Sequence, residues 1–349
     1  MTVSLSAPGG GLRYADTREH FENGLLRLLS LTDEEFRRWL DLAARSDHEG
    51  VLPQLREGWR ALRPPPPAPA DGPVAPGPGG LQGEVWHAAI AETPTHGVAV
   101  CDAAHHGWLV RREGGRFVRE SAPPPYEEAY FEGDRRCAGG YGEYTAQAEW
   151  RLEKAARQVR EMRARTGLAT GRVLDVGSGY GYFRVALGEA GYAHEGVEVS
   201  AHARRVAREV YGLDTHAGTV EEQWEGWRAR YDAVTLWDLL EHVEDPARTL
   251  TLIAGILRPG GVLGVKTPNL DCPEAEVFGP HYHSLKREHL SFYSPASLTA
   301  AAGAAGLEPV HVSTASHLLV GFVGRQRTRA WEREGRGADV VAWYRRPAV

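Results

Sequence analysis

The chain has 349 residues, enough for one large core plus a smaller second unit. A hydrophobic fraction of 42% is ordinary for a globular chain, and a net charge of −6 gives no global field favouring nucleic acid or an anionic membrane. Three widely spaced cysteines, Cys101, Cys137 and Cys272, argue against a disulfide framework. With no signal-like start and no apolar run of membrane-spanning length, a cytoplasmic location is expected.

The chain opens with a Gly-rich stretch, Ala7 to Leu12. Helical patterns follow over 17–30, from Thr32 with its capping box Thr32-Asp-Glu-Glu35, and over 51–62, ending before Pro64. Residues 1–63 thus read as a helical module, a packing appendage or homodimer contact, with substrate recognition as the alternative. Residues 64–83, with four successive prolines, read as a semi-rigid linker. Residues 84–123 read as a small β-rich segment: Val98–Cys101, Trp108–Val110 and, after a Gly-Gly turn, Arg116–Arg119. The aromatic- and Gly-rich stretch 126–144 precedes a helix expected over 145–165, and a larger domain is expected over 124–349.

From Arg172 onward strands and helices alternate, the mark of a parallel α/β sheet. The strands expected are 172–176, 194–199, 214–217, 233–237, 261–266, 308–312 and 339–344. A Tyr231-Asp232 turn is expected before the fourth, and an Arg258-Pro-Gly-Gly261 break before the fifth. The first strand ends at Asp175-Val176 and runs into Gly177-Ser-Gly-Tyr-Gly181, with a helix from Tyr182 to Ala190. Glycine at alternate positions lets the main chain turn tightly and approach a ligand, beside the free N–H groups of a helix start. A dinucleotide fingerprint would be G-x-G-x-x-G; here it is G-x-G-x-G, and Asp175 stands where it would repel a pyrophosphate. Glu198, about twenty residues on, ends the second strand, where a carboxylate can accept hydrogen bonds from a ribose diol.

The run Val173-Leu-Asp-Val-Gly-Ser-Gly-Tyr-Gly181 resembles the first motif of the class I S-adenosylmethionine-dependent methyltransferases. The resemblance covers about 126–346. It implies a seven-stranded, Rossmann-like, doubly wound sheet with S-adenosylmethionine across the glycine turn. It implies a cofactor site of Asp175, Gly177, Ser178, Gly179, Gly181, Glu198, Val199, Thr219, Val220, Trp237 and Asp238. Glu221 is a lesser candidate near the adenine. The 126–144 stretch resembles the aromatic segment that precedes the core in this family. It suggests a water-excluding lid walled by Tyr126, Tyr130, Tyr141 and Tyr144, with Tyr130 and Tyr141 toward the cofactor. The 84–120 segment resembles a zinc ribbon found in front of some such enzymes, but only Cys101 remains of the Cys-x-x-Cys pairs, so a metal-free hairpin is expected.

Leu236 to Pro246, with Glu241-His-Val-Glu-Asp-Pro246, resembles the family's fourth motif, and His242 is expected to begin the next helix in a structural role. Glu288-His-Leu-Ser-Phe-Tyr-Ser-Pro295 resembles a segment of quinone-biosynthesis-like methyltransferases. A related run in sugar C-methyltransferases holds their proposed base, which aligns with His289, with Glu288 before it. His289 is the leading base, with Tyr282 and His283 as alternates, since an unperturbed histidine titrates near neutrality. Three histidines at 281, 283 and 289 invite a metal reading, but no carboxylate or cysteine spacing completes a site, and no metal is expected. The function expected is methyl transfer to a small-molecule acceptor, at oxygen in the first instance. Sugar C-methylation and peptide modification stand as alternatives, and a non-catalytic cofactor-binding scaffold as the reading of another class.

Overall fold

The computed structural model describes residues 34, 51–62, 84–87, 96–100, 107–113, 116–120, 126, 128–132, 144–316 and 325–348. The expected first two helices (apart from Glu34), the linker, Cys101, Cys137 and Tyr141 lie outside them. A helix spans Val51–Leu62, as its pattern predicts.

A small antiparallel sheet holds β1 (Glu84–His87), β2 (His96–Val100), β3 (Gly107–Glu113) and β4 (Arg116–Arg119). Its fifth strand comes from far along the chain: β10 (Ser291–Phe292) pairs with β3, Ser291 opposite Trp108. Leu109 N–H donates to the Leu290 carbonyl at 3.0 Å, extending that junction. The segment before 123 is therefore stitched to the Glu288–Ser294 run.

The main sheet has seven strands in the order β11-β12-β9-β8-β5-β6-β7. They are β5 (Arg172–Val176), β6 (Ala193–Glu198), β7 (His216–Ala217), β8 (Tyr231–Trp237), β9 (Leu257–Pro268), β11 (Glu308–Ala315) and β12 (Asp339–Arg345). β12 runs antiparallel to both neighbours; the other pairs are parallel. β5 lies between β6 and β8, so both its edges are paired in the middle of the sheet. A near-continuous apolar run, Val173, Leu174 and Val176, suits that position, and all three are buried.

Several expected boundaries move. Tyr231-Asp232 begins β8 rather than turning before it, because Asp232 pins the sheet edge: its carboxylate accepts from Arg172 N–H at 2.7 Å and from Arg258 at 2.8 Å. Arg258-Pro-Gly-Gly261 does not break the chain. It is a bulge inside β9, where the register against β8 jumps from Tyr231↔Leu257 to Ala233↔Val262. Gly260 takes φ +79 there, and its N–H donates to the Arg346 carbonyl. β7 is two residues only. β11 extends to Ala315 because β12 offers it a full antiparallel partner. The helix expected from Thr145 starts at Ala148, ends at Thr166, and is closed by Gly167 at φ +74. His242 does not begin a helix: Leu240–His242 is a single 3-10 turn, and the helix Pro246–Ile256 starts later, with Asp245 as its N-cap and proline at its first position.

Candidate active site

The first β-to-helix turn is built from backbone constraints. Gly177, Gly179 and Gly181 all have positive φ, +68, +52 and +85. A Cβ on Gly177 would lie 2.7 Å from Leu239 Cδ1, so this glycine answers to space as well as to angle. The Gly177 N–H donates to the Val197 carbonyl, which ties the turn to β6. Glu198, buried at the carboxyl end of β6, completes it. One carboxylate oxygen accepts from Gly179 N–H at 2.8 Å, and the other accepts from Ser200 N–H at 2.9 Å. Each oxygen keeps a lone pair in a fixed direction. Burial pushes the Glu198 carboxyl up, against those two amides. Beside it Val199 is 47% exposed, an apolar side chain open at a strand end.

Asp175 lies beneath the turn. It is buried in β5 and accepts from Thr235 Oγ1 at 2.8 Å. Burial raises its carboxyl to about 7, against the Thr235 hydroxyl and the Arg184 guanidinium, which pull it down. Its carboxylate thus faces the sheet interior and supports the turn. Ser178 Oγ is buried with no hydrogen-bond partner among the described residues. After β7, Val220 is buried and Thr219 N–H donates to Glu222 at 2.9 Å. Glu221 accepts from the Thr249 hydroxyl at 2.5 Å.

Aromatic rings cover the turn. Tyr144 meets Tyr180 edge-on at 4.8 Å, Phe131 stacks on Tyr180 at 5.1 Å, and Tyr130 meets Tyr126 edge-on at 4.9 Å. Tyr180 donates to Glu132 at 2.7 Å and pairs with His202 at 2.8 Å. Burial pushes the Tyr144 phenol up to about 12. Of the four expected wall residues, three are thus packed together next to the glycines; Tyr141 lies outside the described residues.

At the end of β8 the chain turns sharply, and Asp238 takes φ +54. Its carboxylate pairs with Lys266, which also meets Asp339 at 2.9 Å, and Lys154 approaches at 3.6 Å. Burial would raise the Asp238 carboxyl, but the Lys266 and Lys154 ammoniums hold it below the usual range. Trp237 Nε1 is buried with no hydrogen-bond partner among the described residues.

The stretch 270–294 separates the candidate proton acceptors. Tyr282 turns into the core, with Cys272 Sγ at 3.4 Å from its hydroxyl. His281 lies edge-on to Trp59 at 5.6 Å, and Trp59 meets Phe278 at 5.1 Å, so the helix Val51–Leu62 covers this stretch. His283 sits beside Tyr282 and Ser284. Glu288 is buried, with Lys286 Nζ 3.9 Å away. Of the three histidines, His289 is the one whose ring meets His242, at 4.6 Å and nearly perpendicular. Glu241 joins them, and one side-chain donor atom from each lies within 4.8 Å of the others.

Spacing does not reveal that trio, since the local pattern places His242 at a helix start. The signal available was the Glu-His dipeptide, which occurs at 241–242 and again at 288–289. Nothing in the local pattern around Lys154, Thr235 or Lys266 marks them either. Burial pushes Glu241 up to about 8 and His242 down to about 4, and pushes His289 down.

The residues present fit S-adenosylmethionine. A clamped carboxylate with open lone pairs suits a ribose diol, and exposed Val199 beside it offers a flat apolar contact to a purine. The positive-φ glycine turn leaves room for a close backbone approach.

A methyltransferase-domain family model matches residues 147–312. Among curated proteins, the ubiquinone biosynthesis O-methyltransferase of Bordetella bronchiseptica is 36% identical over 152 residues, 40% of this chain and 62% of that protein. The protein of the same description from Thiobacillus denitrificans is 32% identical over 163 residues, 43% of this chain and 70% of that protein. The chain spans 62% of the length of each of the first four curated relatives it matches. A solved methyltransferase from Archaeoglobus fulgidus is 16% identical, with a TM-score of 0.45, covering 58% of this chain and 98% of that one.

Proposed function

This chain belongs to the class I S-adenosylmethionine-dependent methyltransferases, and from that premise we propose that it transfers a methyl group to an oxygen of a small-molecule acceptor. The relatives described as O-methyltransferases support oxygen as the accepting atom. The observation that carries the reading is that Glu198 ends β6 while Glu241 and His242, with His289 against them, follow the end of β8, the two parallel strands that flank β5. Ligands of such sheets sit outside the carboxyl ends of the strands.

Bound S-adenosylmethionine supplies a methyl already activated by the sulfonium charge. The chain's own residues then have three tasks. Glu198 orients the cofactor sugar, and the glycine turn holds the amino-acid tail. The rings of Tyr126, Tyr130 and Tyr144 exclude water from the reacting atoms. A proton must leave the acceptor hydroxyl, and the buried side chains of Glu241, His242 and His289 are placed to receive it. Among the residues named from sequence, His289 keeps this role best, because Tyr282 and Glu288 are turned to other partners.

The test uses the purified chain with S-adenosylmethionine and a panel of small phenols, sugars and short peptides. S-adenosylhomocysteine should form, and the new methyl should be found on oxygen by mass spectrometry and NMR. A methyl on carbon or on a peptide would move the reading to the alternatives. Cofactor binding with no turnover on any acceptor class would favour the scaffold. No described helix is long and apolar enough to cross a membrane.

A further inference from the structure

We propose that Arg119 is a positioning residue for methyl transfer: from the small N-terminal sheet it locks the loop of Glu241 and His242 against the loop of His289. This role rests on the methyltransferase reading, in which those side chains take the acceptor proton. Arg119 ends β4 and lies outside the matched methyltransferase domain, residues 147–312. Its guanidinium donates to the main-chain carbonyl of Glu244, two residues past His242. The same guanidinium sits over the Trp108 ring, 3.3 Å from its centroid.

Strand register puts it there. Arg119 pairs with Val110 across β4 and β3, so Trp108, two residues before Val110, shares its face of the small sheet. Trp108 in turn stands opposite Ser291 of β10. A guanidinium stacked on an indole keeps its donors in a fixed plane. The Glu244 contact is therefore made from a seat fixed by the strand that pairs with β10.

The main chain closes the ring of contacts. Leu109 N–H donates to the Leu290 carbonyl at 3.0 Å, and Leu290 N–H donates to the Glu241 carbonyl at 2.7 Å. His242 Nδ1 donates to the Glu288 carbonyl at 2.9 Å. The His289–Leu290 run is thus bonded to β3 on one side and to the β8 loop on the other. Arg119 supplies the third side, from the small sheet to the β8 loop directly. A second N-terminal element, the helix Val51–Leu62, holds the earlier part of the run, with Trp59 against Phe278 and Arg56 3.4 Å from Glu276. The acceptor oxygen has to meet the sulfonium methyl in line, and moving a catalytic group by about 1 Å costs on the order of 100-fold in rate. Glu244 is exposed, so its bond to Arg119 contributes direction more than stability.

The test compares the full chain with Arg119→Ala and Arg119→Lys. Amide hydrogen exchange is followed over 239–246, over 286–292 and at the glycine turn. Calorimetry gives S-adenosylhomocysteine affinity, and kcat and KM are measured on an acceptor found in the panel. In Arg119→Ala, exchange should quicken ~10-fold in both loops together and stay unchanged at the glycine turn. Affinity should hold within about 2-fold while kcat falls ~10-fold or more. Arg119→Lys keeps a charged donor and should recover part of both losses. If Arg119→Ala fails to fold, Arg119→Lys carries the test and must show faster exchange in both loops. Unchanged exchange in either loop, an unchanged kcat, or a loss of affinity that matches the loss of kcat overturns the proposal. Exchange needs no acceptor and reports the lock by itself, whereas wild-type turnover reports the methyltransferase reading. A wild type that binds S-adenosylhomocysteine and turns over nothing overturns the catalytic role along with that reading, whatever the exchange shows.

Discussion

Glu198 accepts a hydrogen bond from the Gly179 amide at 2.8 Å, so the acid that ends β6 is fastened to the turn that ends β5. One bond thereby sets the distance between the sugar-binding acid and the backbone bend. Glu198→Gln should break this link. Its amide nitrogen must face one of the two backbone N–H groups, leaving a donor against a donor. We expect S-adenosylhomocysteine affinity to fall ~10-fold or more, with about 1–3 kcal/mol of lost stability. Calorimetric titration and thermal melts check both.

Two glycines of the same turn should respond differently to alanine. At Gly177 the added Cβ would meet Leu239 Cδ1 at 2.7 Å, on top of a φ of +68, so Gly177→Ala should lower the melting temperature clearly. At Gly179 the Cβ would meet only Tyr144 Oη at 3.4 Å, ordinary contact. Gly179→Ala should therefore cost roughly 1–2 kcal/mol of backbone strain and lose proportionately more cofactor affinity. Equal losses of affinity and stability in both variants would count against close backbone approach at Gly179.

Asp175 should make stability depend on pH. Burial raises its carboxyl from the ordinary range to about 7 in the folded protein. The folded state then holds a proton that the unfolded state has released. Its contribution is full below the ordinary Asp range and is lost as pH rises through about 7. Asp175→Asn removes that titration while keeping an acceptor for Thr235. The melting temperature of wild type minus variant should be lower at pH 8 than at pH 5. A difference that stays flat or rises would contradict the buried placement.

The lid tyrosines offer a contrast. The Tyr126 hydroxyl is buried with no hydrogen-bond partner among the described residues, and its ring lies 5.8 Å from His242. Tyr126→Phe should leave stability unchanged or raise it, and alter turnover if the hydroxyl meets the acceptor. Tyr180→Phe loses bonds to Glu132 and His202 and should cost about 1 kcal/mol or more. Melts of the two variants side by side test this.

What the residues determined by themselves is local or periodic. The strand–helix alternation, the glycine turn and the strand-end position of Glu198 follow from spacing, because hydrophobic period and backbone permissiveness act over a few residues. That β5, β6 and β8 run parallel follows from that alternation, while their order in the sheet does not. Tertiary structure decided the rest. His242 and Glu288, 46 residues apart, share a hydrogen bond, and Ser291 pairs with Trp108 across most of the chain. These meetings depend on how two loops cross at the sheet's edge. The same contacts turned His242 from a helix start into one arm of a buried trio and drew Tyr282 into the core. A side chain's neighbours across such distances are set by packing and burial, which no local pattern records.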